Sequence, residues 1–241
     1  MTVVVSGANG GIGRAISLAL LNREISVVAC YRTMTSDYSA WFSSLKSSYG
    51  QLINAEKLDL SSSESVKIDA KHIIEKYDIN GLVNNAALAT GSRFMMTSQQ
   101  NLKDVFEVNF FSTLLVSQMI AKSMIQNSKG RIINISSISG HLTSQGFLSY
   151  GASKAALDYS TRIMAEELSG YGITVNAVAP GLTETPMLES MEDTSKEWFR
   201  QLSFSKRFSQ PDEVANLVTY LLLDSSPQLT GQIISLDGGM P

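Results

Sequence analysis

The chain has 241 residues, 44% of them hydrophobic and 17% charged, with a single cysteine. That length suits one large α/β domain whose core needs neither disulfides nor metals. Nineteen basic against 22 acidic side chains leave a formal net charge of −3, which argues against a nucleic-acid partner, because phosphate contacts need clustered lysine and arginine.

Short β-branched runs alternate with longer helical patterns. Strands are predicted at 3–6, 26–30, 52–58, 81–84, 131–136, 173–178 and 232–236. Helices are predicted at 12–22, 36–49, 63–77, 102–125, 150–168 and 212–223, the third with Val66, Ile73 and Ile74 on one face. This alternation predicts a doubly wound parallel sheet of Rossmann type with helices on both faces. The strands are apolar runs rather than alternating ones, as both-face coverage requires. No linker or repeat interrupts the pattern, so residues 1–241 are read as one domain. The stretch 182–207 is polar and loosely patterned, with Pro186 near its start, and is the expected place of a mobile substrate lid. Cys30 lies in an apolar run and reads as a small buried residue. The start of the chain lacks the features of a signal peptide, and no run approaches the ~18 apolar residues of a membrane span. A cytoplasmic protein without a membrane partner is expected. No cluster of side chains has metal-ligand spacing, so no metal is expected.

The first strand ends in Ser6-Gly7-Ala8-Asn9-Gly10-Gly11-Ile12-Gly13, directly before a helix. Backbone amides and the positive end of the dipole at a helix N-terminus bind pyrophosphate. Glycine serves where the ligand or a neighbouring strand comes too close for a side chain. The strand–turn–helix context marks this as a dinucleotide turn. The place of a ribose-binding acid falls near Tyr31, 18 residues past Gly13, yet the segment reads Cys30-Tyr31-Arg32-Thr33. Arg32 can pair with a 2′-phosphate, so NADP(H) is expected ahead of NAD(H).

Tyr150 and Lys154 are four residues apart in a predicted helix and so share a face. A tyrosine titrates near ~10 when free, and a neighbouring ammonium is expected to lower that value.

These residues, in their order, resemble the short-chain dehydrogenase/reductase family from Val3 to Gly239. Gly7, Gly11 and Gly13 match its glycine turn, with Ser6 in place of threonine. Asp59, followed by Leu60, matches the acid that contacts adenine. Asn84-Asn85-Ala86-Ala87 resembles its N-N-A-G element. Asn109, Ser137, Tyr150 and Lys154 match the catalytic tetrad, with Ser137 thirteen residues before Tyr150. Asn176, Pro180 and Gly181 match N-x-x-x-P-G, with Thr183 and Thr185 downstream, and Thr230-Gly231 and Asp237-Gly238-Gly239 match the C-terminal elements.

The resemblance implies that Tyr150 exchanges a proton with the substrate oxygen while Ser137 stabilises that oxygen's developing charge. Lys154 would bind the nicotinamide ribose and tune Tyr150, and Asn109 would hold a water leading to solvent. Residues from Pro180 to Thr185 would grip the carboxamide. Three departures stand out. Gly10 replaces a basic residue common in NADP-dependent relatives, although Asn9 can still reach the 2′-phosphate. Ala87 adds a methyl beside the nicotinamide-side loop. Thr183 replaces an aliphatic residue where the backbone does the binding.

Within the family, the run from Arg207 to Val214 is similar to 3-oxoacyl-acyl-carrier-protein reductases. A small-molecule or thioester ketone is the expected substrate, with a sugar, polyol or steroid alcohol as the alternative. The acidic lid run Glu189, Glu192, Asp193 does not favour an anionic carrier. An inactive dinucleotide sensor would lack part of the tetrad, and an epimerase or dehydratase would carry a larger C-terminal region. His141 is read as a loop residue, His72 carries no assigned role, and Met95-Met96 and Trp198-Phe199 are read as core or lid packing. Relatives of this size form homotetramers on the long helices and the last strand. Val105, Phe106, Phe110, Leu114, Leu115 and Met119 are apolar on more than one face of such a helix. A homotetramer is expected, with a dimer as the second choice.

Overall fold

In the computed structural model, which describes residues 1–189 and 191–240, one or more helices separate each strand from the next. The first half runs β1 (Thr2–Val5), α1 (Gly11–Leu21), β2 (Ser26–Tyr31), α2 (Ser36–Tyr49), β3 (Ile53–Lys57), α3 (Ser63–Lys76) and β4 (Gly81–Asn84). The second half runs α4 (Gln99–Phe106), α5 (Thr113–Gln126), β5 (Gly130–Ile135), α6 (Leu148–Ser169), β6 (Ile173–Pro180), α7 (Pro186–Glu189), α8 (Asp193–Leu202), α9 (Pro211–Leu223) and β7 (Ile233–Leu236). Caps set several starts. Thr35 accepts from the Tyr38 amide before α2, and Ser62 from the Ser65 amide before α3. Pro211 opens α9 inside a Gln210–Glu213 capping box. Each such cap contributes about 1 kcal/mol.

The strands form one parallel sheet in the order β3-β2-β1-β4-β5-β6-β7. Strand side chains alternate between faces. Val3, Val5, Val27, Ala29, Ile133 and Ile135 face one layer with Ile16 and Leu20 of α1 and Val214 and Val218 of α9. Val4, Val28, Leu82, Ile132 and Val175 face the other with Val66 and Ile73 of α3 and Val116 and Ile120 of α5. Each such side chain contributes about 1.5–3 kcal/mol by leaving water. Cys30 belongs to this second layer and is fully buried. The strand order reverses at β1, with β2 on one side of it and β4 on the other, which opens a crevice at the carboxyl ends of the strands.

Between β4 and β5 the structure corrects the expected single helix over 102–125. Helix begins at Gln99, and a π-helical turn at Glu107–Ser112 separates α4 from α5. Thr113 Oγ1 donates to the Val108 carbonyl at 3.0 Å and Ser112 Oγ to Glu107 Oε1 at 3.0 Å, which supports the wider turn. A single π turn commonly marks a functional position. By length and composition the stretch Gln99–Gln126 is also apolar enough to cross a membrane, contrary to the expectation from the sequence. Its buried side chains pack on β4, β5 and α3, as a core helix does.

The stretch 182–207, expected to be loosely structured, holds the helices α7 and α8. Ser190 within it lies outside the described residues. Its base is tied down by the Ser209 amide donating to the Leu182 carbonyl and the Glu184 amide donating to the Ser209 carbonyl, both 2.9 Å.

Candidate active site

The crevice is a cleft of about 1400 Å³. Gly7, Asn9, Gly10, Gly11 and Ile12 form one wall of it. Gly7 has φ of +63°, and a side chain there would meet the Ala86 backbone at 2.7 Å. Gly13 lies behind the wall, where a side chain would meet the Gly7 carbonyl at 2.4 Å. The glycines are thus required by the closeness of β1, α1 and the loop after β4, and the α1 amides are left facing the cleft. Gly10 is different: a side chain there would have ordinary room, with its nearest neighbour 3.5 Å away.

Ser6 holds this wall to the next strand. Its Oγ accepts from the amides of Asn85 (2.9 Å) and Ala86 (3.0 Å), while Asn85 Nδ2 donates to the Ser6 and Gly7 carbonyls at 3.0 Å. Asn85, Ala86 and Ala87 all line the cleft. Ala87 is not among the residues with left-handed backbone, so its methyl group costs no strain.

At the β2 end Arg32 and Leu60 line the cleft, but Tyr31 and Asp59 do not. The Tyr31 ring packs on Tyr38 with centroids 5.3 Å apart, and Asp59 Oδ1 accepts from the Ser61 amide at 3.0 Å. Both side chains, expected at the dinucleotide, sit next in sequence to the cleft-lining Arg32 and Leu60 and have local partners of their own. Sequence reasoning missed Arg14, which lines the cleft beside Arg32, pairs with Asp37 and lies 5.3 Å from the Trp41 ring centroid. Its signal was a basic residue directly after Gly13.

At the other end Ser137, Tyr150 and Lys154 line the cleft together, while Asn109 lies beneath it. Ser137 follows β5, and its Oγ accepts from the Ser139 amide at 3.1 Å, capping a short turn at Ile138–Gly140. Asn109 lies in the π turn and is 1% exposed. Its Oδ1 accepts from the Leu88 amide at 2.7 Å, and its Nδ2 donates to the Leu88 carbonyl at 2.9 Å and to Ser153 Oγ at 3.0 Å. The carboxamide therefore ties the loop after β4 to α6. Ser153, a second residue that the sequence reading passed over, completes the tie by donating to the Tyr150 carbonyl at 2.7 Å. Beneath them Asn84 Nδ2 donates to Ser117 Oγ and Asn134 Oδ1, and Asn134 Nδ2 to Thr161 Oγ1, all at 2.8 Å. This buried polar chain fixes β4, β5, α5 and α6 as one unit.

Lys154 is 2% exposed. Its Nζ donates to the Ile135 carbonyl at 2.7 Å and stands 5.6 Å from the Tyr150 ring centroid. Burial pulls the ammonium down to about 8. Burial pushes the Tyr150 phenol above its usual range, and the Ser137 hydroxyl beside it acts in the opposite sense. This runs against the expectation that Lys154 lowers Tyr150: burial sets the direction, and the ammonium bonds to the β5 carbonyl. The phenol is thus a protonated acid at neutral pH, poised beside a hydroxyl and a cation.

Pro180, Gly181, Thr183 and Thr185 close the cleft from the lid side. Thr183 Oγ1 donates to the Gly181 carbonyl at 3.2 Å, and the Thr185 methyl group lies against Gly11. Farther out, Phe199 of α8 is buried and meets the Phe147 ring edge-on at 6.3 Å. Trp198 is half exposed. Met95 and Met96, expected to pack, are instead 89% and 78% exposed, beside an apolar cavity of about 710 Å³. His141 is exposed, and His72 Nε2 lies 3.4 Å from Glu56 Oε2. Among the described residues no group of three or more His, Cys, Asp or Glu side chains gathers.

Known proteins match this arrangement closely. The family model described as enoyl-(acyl carrier protein) reductase matches residues 7–241. The chain is 34% identical over 238 residues to a 3-oxoacyl-(acyl-carrier-protein) reductase of Aquifex aeolicus, covering 98% of this chain and 96% of that one. It is 32% identical over 238 residues to the enzyme of the same name from Thermotoga maritima, again covering 98% and 96%. Among solved structures, a provisionally assigned gluconate dehydrogenase from Agrobacterium tumefaciens superposes with a TM-score of 0.93 at 27% identity, covering 99% of this chain and 95% of its own. A provisionally assigned NAD(P)-dependent gluconate 5-dehydrogenase from Beutenbergia cavernae, which contains NADP at low occupancy, does so with a TM-score of 0.92 at 27% identity over the same shares. The match from end to end, on a seven-stranded doubly wound sheet, makes this chain a member of the short-chain dehydrogenase/reductase family of oxidoreductases.

Proposed function

We propose that the protein reduces the ketone of a 3-oxoacyl thioester to a secondary alcohol with NADPH, Tyr150 giving the proton. The convergence of Tyr150, Ser137 and Lys154 on the cleft, across from the glycine wall, carries this reading. The cradle suits a dinucleotide, because side chains at Gly7 or Gly13 would fill the space the backbone needs. NADPH supplies the hydride when bound. Arg32 and Arg14 are the cations at the end where the 2′-phosphate would lie, and Asn9 adds an amide beside them. Pro180, Gly181, Thr183 and Thr185 would hold the carboxamide.

A substrate carbonyl placed against the phenol receives the proton on oxygen, and the Ser137 hydroxyl donates to the same oxygen as its charge grows. The Lys154 ammonium would hold the nicotinamide ribose and stabilise the phenolate left behind. Asn109 would act by fixing α6, since its carboxamide is committed to Leu88 and Ser153. Two donors directed at one oxygen favour a ketone over an isolated double bond, in agreement with the relatives' names rather than the family model's description. Residues 182–207 act as the substrate lid of a single domain. Exposed Phe111, Tyr159 and Ile163 on the face of the π turn and α6 would be covered in a homotetramer, which sedimentation would show.

The test is NADPH oxidation with an acetoacetyl thioester, a crotonyl thioester and 5-keto-gluconate in parallel. Turnover of the acetoacetyl compound alone supports the proposal. Turnover of the keto-sugar would favour the second reading, a sugar-acid dehydrogenase, which the two structural neighbours' descriptions support.

A further inference from the structure

At the β2 end of the cleft an acid stands among the groups that would hold a phosphate. The charged side chains lining this end are Arg14, Arg32 and Asp37, two cations against one anion. Arg32 is exposed on the loop after β2. Arg14 is already committed. Its Nη2 donates to Asp37 Oδ2, and its guanidinium carbon lies 5.3 Å from the Trp41 ring centroid. Asp37 and Trp41 are one turn apart on α2 and meet Arg14 of α1 from the same helix face.

Folding gains little from this acid. A carboxylate in the first turn of a helix suits its dipole, but α2 already has its Thr35 cap. Asp37 is 75% exposed, and so open an ion pair contributes little to stability. Nor does Arg14 need it for aim. The arginine side chain is only 27% exposed, its Nε is buried without a hydrogen-bond partner, and its guanidinium rests against Trp41. The carboxylate therefore acts mainly on an anion that enters the cleft. A phosphate monoester carries a charge of about −1.5 to −2 at neutral pH. It would meet an arginine that is already paired, with a like charge beside it.

We infer that Asp37 is a specificity-determining residue: by occupying Arg14 it restrains binding of the 2′-phosphate and narrows the preference for NADPH over NADH. NADH carries a hydroxyl at that position and meets no such penalty. The inference rests on the reading above that Arg14 and Arg32 face the 2′-phosphate.

The test is a fluorescence titration of the whole protein with NADPH and with NADH at low salt, without substrate. Asp37→Asn and Asp37→Ser should each tighten NADPH by about three- to tenfold and leave NADH unchanged. The gain should shrink in about 1 M salt, where charges are screened beyond roughly 3 Å. Arg14→Gln should weaken NADPH alone. NADPH affinity that is unchanged or weakened in both Asp37 variants overturns the inference. An equal gain for NADH overturns it too, and so does a gain in only one variant, which would assign the effect to the new side chain. Failure of the underlying reading looks different: Arg14→Gln and Arg32→Ala would then both leave NADPH as tightly bound as before.

Discussion

The catalytic floor and the lid of this protein are built on opposite terms. In the floor, Asn109, Ser137, Ser153 and Lys154 are buried; Asn109 and Ser153 join the loop after β4 to α6, Lys154 joins α6 to β5, and Ser137 caps its own turn. In the lid, polar side chains pair with near neighbours on the surface: Lys196 with Asp193 at 3.1 Å and Arg200 with Glu197 at 2.7 Å. The acids that make the lid look anionic are thus partly neutralised in place. Phe199 against Phe147, the bonds at Ser209, the Ser203 hydroxyl and Ser205 amide donating to the Gly238 carbonyl, and Arg207 paired with Glu213 anchor it to the rest. On the proposed roles, the difference sets a rigid floor for the chemistry against a more locally held segment for specificity, as local stability predicts.

Breaking the floor should cost most. Tyr150→Phe is expected to lower kcat by about 10²–10⁴-fold, with NADPH affinity and Tm nearly unchanged, as single-turnover kinetics, fluorescence titration and calorimetry would show. Gly13→Val places a side chain against the Gly7 carbonyl. It should weaken NADPH binding more than tenfold and lower stability by about 1–3 kcal/mol, both readable from a thermal shift with and without cofactor. Arg32→Ala should weaken NADPH about tenfold, the worth of one charge-assisted bond, and leave NADH unaffected. Gly10→Arg, at a position with room for a side chain, should sharpen the preference in the opposite direction.

The pH dependence tests the floor without altering shape. In the reductive direction activity should fall as pH rises through about 8, where the Lys154 ammonium loses its proton. The Tyr150 phenol, raised by burial, stays protonated there and cannot be the source of that limb. Lys154→Arg should move the limb upward, because a guanidinium keeps its charge. The smallest effect belongs to the lid: Trp198→Ala should raise KM a few-fold and leave kcat and Tm in place, since that ring is half exposed.

The doubly wound parallel sheet could be read from the alternation of strands and helices, the Tyr150–Lys154 face from helical spacing, and the rest of the tetrad from the family resemblance. The π turn could not be read, since it needs the Thr113 and Ser112 hydroxyls to find Val108 and Glu107. Nor were the two lid helices read: α7 is four residues long, and α8, though amphipathic, buries a single side chain, Phe199. Tyr31 was expected at the cofactor from its place 18 residues past Gly13 and Asp59 from the family resemblance; their local partners, Tyr38 and Ser61, could not be read in advance because they depend on the folded loops. The raised phenol depends on desolvation, which only the packed structure determines.

The most direct test of the account is hydride transfer from NADPH to an acetoacetyl thioester under single-turnover conditions, in the unaltered protein and in Tyr150→Phe. The account predicts rapid NADPH oxidation that the variant loses while still binding the cofactor. A variant that transfers hydride at the original rate would contradict it, because the proton on the product oxygen would then have another source.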